Sequence, residues 1–149
     1  MTPIRIAYVI DTIDTPAAGT ERQLLALLRG LDRREFLPHL VCLQESPWLL
    51  EQRFDFPVTY LGIHSLRRPA ALAALLRFRR LCRETPFDLV QTFFVDGNVF
   101  GTLGAALAGR PVIVSSRRNI GHWHDRTQVA LLRFLRRWTG WYLANSRAV

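Results

Sequence analysis

The sequence predicts an α/β domain, with helices layered on both faces of a mostly parallel sheet of about six strands. Three observations predict it. Short apolar runs without polar alternation recur along the chain, as strands buried on both faces of a parallel sheet do. Between them lie longer segments with apolar residues at helical spacing, so strand and helix alternate almost throughout. The chain has 149 residues, 49% of them hydrophobic, which suits one domain with a sizeable core.

The first strand is the run Ile4 to Ile10, and a turn-rich loop from Asp11 to Gly19 follows it. A helix then carries Leu24, Leu25, Leu27, Leu28 and Leu31, with Thr20 as N-cap and Gln23 completing a capping box. Strand, small-residue loop and helix N-terminus together aim free backbone N–H groups and a positive dipole end at an anion. The second strand is Phe36 to Leu43, with Pro38 among its opening residues. Glu45-Ser46-Pro47 makes a turn, a short helix falls within Trp48 to Phe54, and Val58 to Leu61 is a third strand.

A proline-initiated helix runs from Pro69 to about Glu84, with Leu72, Leu75, Leu76, Phe78 and Cys82 on its apolar side. Asp88 to Thr92 is the fourth strand. Asn98 caps a helix through Ala108, whose glycines and alanines permit close packing on the sheet, and Gly109 ends it. Val112 to Ser115 is the fifth strand. After the polar loop Ser116 to Asp125, a helix from Thr127 to Trp138 turns Val129, Leu132, Leu135 and Trp138 inward. Trp141 to Ala144 is the sixth strand, and Asn145-Ser146 reads as the cap of a further helix. A domain seldom stops on a helix it has just capped, so residues 1–149 are expected to be one part of a longer protein.

Composition narrows the function classes. The formal net charge is +8, carried by twenty arginines and no lysine. A basic surface favours nucleotide phosphates, nucleic acid or an acidic membrane face. Solvated faces are the default for the arginine-rich helices, and an anionic membrane surface comes next. Nucleic acid comes last, for want of a stacking platform or a reading helix. No apolar run reaches the length of a membrane span. Cys42 and Cys82 lack metal-motif spacing and read as reduced core residues of a cytosolic protein.

In an open α/β sheet ligands sit beyond the C-terminal strand ends, where three polar loops fall: Asp11–Gly19, Phe93–Asn98 and Ser116–Asp125. Only Gly19 occupies the place of a dinucleotide-binding Gly-x-Gly-x-x-Gly, and no Gly-Lys-Ser/Thr is present. His122-x-His124-Asp125 lacks further ligands at metal spacing, so solvated or phosphate-contacting histidines are expected and no metal.

Four segments in order resemble family 4 (group 1) glycosyltransferases. Ile6 to Ile10 followed by Ala18-Gly19-Thr20-Glu21-Arg22 is similar to that family's first strand and Gly-Gly-x-Glu-Arg loop. Asp88 to Thr92 with Asn98 to Gly101 resembles its fourth strand and helix entry, and Pro111 to Asn119 its fifth strand and loop. Ala144-Asn145-Ser146-Arg147-Ala148-Val149 resembles the segment before its interdomain region. The resemblance implies the N-terminal, acceptor-side, Rossmann-like half of a GT-B fold. A C-terminal domain would hold most of the nucleotide-sugar donor.

The implied activity is retaining transfer of a sugar from a nucleotide-sugar to a glycan or lipid-linked acceptor. It would take place in the cytoplasm or peripherally at the inner membrane face, without cofactor or metal. The 149-residue chain alone is expected to be inactive. Ala18, Gly19 and Thr20 would contact the donor diphosphate through the backbone. Asp96, Asn98, Arg117, Asn119 and His122 would contact the acceptor. Ala18 departs from the family's first glycine. Arg117 stands near where many members carry a histidine, and a guanidinium cannot serve as a base; it is expected to bind phosphate or acceptor. No catalytic residue is assigned. The alternative is a non-catalytic Rossmann-like module for anions or nucleotides, and after it a basic nucleic-acid-binding domain.

Overall fold

The computed structural model describes residues 2–17, 19–63, 69–109, 111–117 and 126–144. Its elements are β1 (Ile4–Ile10), α1 (Gly19–Gly30), β2 (Phe36–Cys42), α2 (Pro47–Glu51), β3 (Val58–Tyr60), α3 (Ala70–Glu84), β4 (Leu89–Thr92), α4 (Val95–Ala108), β5 (Val112–Arg117), α5 (Arg126–Leu135) and β6 (Trp141–Ala144). The strands form one six-stranded sheet in the order β3-β2-β1-β4-β5-β6. Every pairing is parallel. This is the doubly wound arrangement, with its topological switch between β1 and β4.

The pleat divides the core in two. Ile6, Tyr8 and Ile10 of β1, with Leu40 and Cys42 of β2, pack against Leu24, Leu25 and Leu28 of α1 and Leu49 of α2. Ala7 and Val9, with Val41, Val90 and Ile113, face the other way onto Ala74, Phe78 and Cys82 of α3 and Phe100 and Ala105 of α4. Successive residues thus serve opposite layers, which is why these strands read as unbroken apolar runs. Cys42 and Cys82 are both buried and free, and burial pushes each thiol up to about 12.

Pro38 sits inside β2 at no cost to the sheet. Leu40 N–H donates to Pro57 O on the β3 side at 2.9 Å. The missing N–H of Pro38, two residues earlier, faces that side before β3 begins opposite Leu40. Ser46 caps α2: its Oγ accepts from Leu49 N–H at 3.1 Å and donates to Ile13 O at 2.6 Å.

Four local expectations are corrected. α1 begins at Gly19, so Thr20 lies in its first turn instead of capping it. α4 begins at Val95, with Phe94 in the N-cap place, so Asn98 is inside the helix. In α3 the buried stripe is Ala74, Phe78 and Cys82, while Leu72 and Leu76 face outward. Small residues let that helix approach α4 closely: a methyl group on Gly104 of α4 would run into the Phe78 ring. Trp138 lies past the end of α5 and is exposed.

Candidate functional site at the sheet switch point

β1 ends at Ile10, and the next residue, Asp11, reaches across the switch point to α4. Its Oδ1 accepts a 2.6 Å hydrogen bond from the backbone N–H of Gly97. That N–H is one of the unpaired donors of the helix's first turn. The approach requires glycine: a Cβ at Gly97 would lie 3.0 Å from Asp11 Oδ1 and 3.3 Å from Val9 O.

A strained elbow delivers the helix to this place. Phe94 has φ 57° and ψ −178°, and it is the residue with positive φ among the described non-glycines. Such a conformation costs an L-residue on the order of 1–3 kcal/mol and persists only where its surroundings enforce it. Here Phe93 N–H is held by Val9 O at 2.9 Å on one side. On the other, Phe94 O accepts from Asn98 N–H at 3.0 Å.

Three influences act on the Asp11 carboxyl. Burial raises its pKa, the neighbouring Asp96 carboxylate raises it further, and the Gly97 N–H lowers it. Burial wins, and the group stands at about 7 against an ordinary 3.8. A carboxyl that exchanges its proton near neutrality, at a strand end beside a helix N-terminus, can accept a proton from a hydroxyl or hydrogen-bond one. In the sequence Asp11 is one of the acids of a turn-rich loop, and its position as first residue after a buried strand is the signal that sets it apart.

Gly19 and Thr20 form the N-terminus of α1, on the same edge of the sheet; Gly19 is exposed and Thr20 half-buried. Ala18, the third residue expected to contact a donor phosphate, lies outside the described residues. Asp96 is half-buried in the first turn of α4, beside Asp11.

Asn98, expected to contact an acceptor, is buried. Its Oδ1 accepts from Thr92 Oγ1 and from Ser115 Oγ, each at 2.6 Å, tying the ends of β4 and β5 to α4. Beside it Gln91 Nε2 donates to Ser116 Oγ at 2.9 Å. Arg117, the last residue of β5, places its guanidinium carbon 5.3 Å from the centre of the Tyr142 ring. Asn119 and His122 lie outside the described residues. Among the described residues no three His, Cys, Asp or Glu side chains converge as metal ligands would.

A separate cavity of about 250 Å³ lies at the opposite, N-terminal strand ends, between Pro38, His39, Phe56 and Phe87. The switch-point groups do not line it.

This sheet order and strand-end site define the class: a doubly wound, Rossmann-like α/β domain. Two solved structures share the fold. The apo form of the lipopolysaccharide outer core galactosyltransferase WaaB superposes with a TM-score of 0.70 at 14% identity. Anabaena Alr3699/HepE, solved in complex with UDP and glucose, superposes with a TM-score of 0.73 at 19% identity. Each match covers 97% of this chain but only 40% and 39% of those proteins, respectively. The sequence profile of the glycosyl transferase 4-like domain matches residues 18–149, and the chain belongs to that family. A search of the curated proteins finds no match to the sequence.

Proposed function

We propose that this domain is the acceptor-side half of a retaining glycosyltransferase that uses a nucleotide-sugar donor, of the UDP type, and a glycan or lipid-linked acceptor. The observation that carries the reading is the family match across residues 18–149. The switch-point geometry supports it. The N-terminus of α1 at Gly19 and Thr20 offers backbone N–H groups and a positive dipole end to a diphosphate. Asp11 and Asp96 flank the place where an acceptor hydroxyl would approach, and Asp11 is poised to hold that hydroxyl's proton. Arg117 supplies fixed positive charge nearby for phosphate or acceptor. Asn98 acts through the ends of β4 and β5 that it ties to α4. Two buried, reduced cysteines fit action in the cytoplasm.

The test assays the complete protein encoded by the gene with a panel of nucleotide sugars, reading the anomeric configuration of the product by proton NMR. Transfer with retained configuration, lowered by Asp11→Asn and Asp96→Asn, is the expected result. Inverted product overturns the retaining mechanism. Saturable UDP binding with no transfer from any donor overturns the enzyme reading in favour of a nucleotide-binding module.

A further inference from the structure

The sheet is kept open beside the first residues of β2. β3 joins β2 only from Leu40 onward, so Phe36 to His39 have no strand on that side. The last bond of the ladder runs from Leu40 N–H to Pro57 O at 2.9 Å. The next two bonds back would need the N–H of Pro57 and then that of Pro38, and proline has none. Two prolines thus stop the strands from closing, and the gap they leave is the cavity of about 250 Å³ at the N-terminal strand ends. Pro38 and the buried rings of Phe56 and Phe87 wall it. Phe56 belongs to the half of the core under α1 and Phe87 to the half under α3, so each layer supplies one ring.

The rim of this cavity is positive. Arg33 is fixed in place: its Nη2 donates to Leu28 O at 2.7 Å and to Asp55 Oδ2 at 3.0 Å, and its Nη1 to Leu31 O at 3.1 Å. Its guanidinium carbon lies 5.7 Å from the centre of the Phe56 ring, and its Nε is buried without a partner among the described residues. Arg5, also on the rim, is exposed. Among the described residues no carboxylate pairs with its guanidinium; the nearby Asp88 accepts from the Arg5 backbone N–H at 2.8 Å. His39 adds no charge at pH 7, because burial lowers its pKa and its Nε2 lies 2.8 Å from Thr59 Oγ1. One acid on the rim, Asp55, therefore stands against two guanidinium groups.

We propose that this cavity is a binding site for a small aromatic carboxylate, with its ring among Pro38, Phe56 and Phe87 and its carboxylate on Arg5. The size fits, since an apolar cavity of about 150 Å³ already admits benzene. Aromatic walls with a few polar groups at the mouth are the usual make-up of a small-molecule site. The charge selects an anion. A carboxylate gives Arg5 the partner it lacks and offsets the excess charge of Arg33, whereas an ammonium group would meet both as like charges. The site lies at the end of the sheet opposite Asp11 and Gly19, so its occupant does not compete for the switch point. The inference does not depend on the enzymatic reading.

The test is ligand-observed fluorine NMR of fluorobenzoate with the complete protein encoded by the gene. Fluorobenzoate should bind with a dissociation constant on the order of 1 mM and should not be displaced by saturating UDP. Fluorobenzyl alcohol and fluorobenzylamine should bind at least about fivefold more weakly. Arg5→Gln should weaken fluorobenzoate about fivefold and leave fluorobenzyl alcohol within about twofold. Leu37→Trp adds an indole at a lining position that is 39% exposed and should abolish binding of both. Asp11→Asn, at the other end of the sheet, should change nothing. Circular dichroism confirms that each variant is folded. Absence of fluorobenzoate binding, displacement by UDP, equal affinity for the amine, or full binding by Leu37→Trp overturns the proposal.

Discussion

Asp11 holds the backbone N–H of Gly97 at 2.6 Å across 86 positions of sequence, so the exit of β1 and the entry of α4 are fastened at one carboxyl group. That carboxyl is raised from 3.8 to about 7, chiefly by burial. A raised carboxyl contributes stability that is fully present below the unfolded value and lost as pH rises through the folded one. The Asp11 contribution therefore fades between about pH 4 and pH 7. Each tenfold change in proton affinity is about 1.4 kcal/mol. Asp11→Asn keeps an oxygen for Gly97 and removes the charge. It should stabilise the domain at pH 8 by about 1–3 kcal/mol and flatten its pH dependence from 4 to 7, read by urea unfolding.

His39 works in the opposite sense. Its Nε2 lies 2.8 Å from Thr59 Oγ1, its ring meets Phe87 edge-on, and burial lowers its pKa. A lowered histidine contributes stability present above the unfolded value and lost as pH falls through and below it. The His39 imidazole should therefore titrate below 6.5 in a proton NMR series. His39→Gln should remove that part of the acid-side loss.

Gly101 and Gly30 separate close approach from conformational freedom. A Cβ on Gly101 would meet Thr92 Cγ2 at 2.5 Å and Val9 at 3.2 Å, both in buried strands. Nothing lies within 4 Å of one on Gly30, and its φ is not positive. Gly101→Ala should destabilise the domain by about 1–3 kcal/mol. Gly30→Ala should be neutral or stabilising by up to about 1 kcal/mol. Thermal unfolding of the pair decides it.

Asn98→Ala leaves Ser115 Oγ without its acceptor and loosens Thr92 Oγ1, which keeps a 3.3 Å bond to Val114 O. The cost should be about 1–3 kcal/mol in urea unfolding. In the complete protein, a bracing role predicts that kcat and KM change together with stability. A direct acceptor contact predicts a rise in KM out of proportion to the lost stability.

The existence and order of the elements were legible because buried parallel strands advertise themselves as apolar runs and helices by their spacing. Strand order was not, since nothing local to Ile4–Ile10 says that its second neighbour is β4. Leu72 and Leu76 looked like core because leucine at helical spacing usually is. The actual contact face uses Ala74 and Phe78, chosen by the close approach of α4. Asn98 looked like a cap because asparagine favours that place; the turn is made one residue after Phe93, by a phenylalanine in left-handed backbone that no propensity would nominate. The role of Asp11, like the pairing of β1 with β4, is not legible locally because its partner is remote in sequence.

The central place of β1 also governs the order of assembly. Its pairing with β2 closes a loop of modest length, as Ile4 aligns with Phe36, but its pairing with β4 joins Ile6 to Leu89. Loop-closure entropy for that second ladder must be met before its contacts return anything. The first three strands with α1 and α2 already supply most of one half of the core, lacking Phe93 with Leu89 and Phe94 from β4 and the turn after it. They are thus equipped to collapse first, with one edge of β1 left open as a template until β4 arrives. Chains delayed at that stage would present an unpaired parallel edge flanked by Ala7 and Val9. Misassembly during refolding should therefore start from the switch point and not from the outer strands.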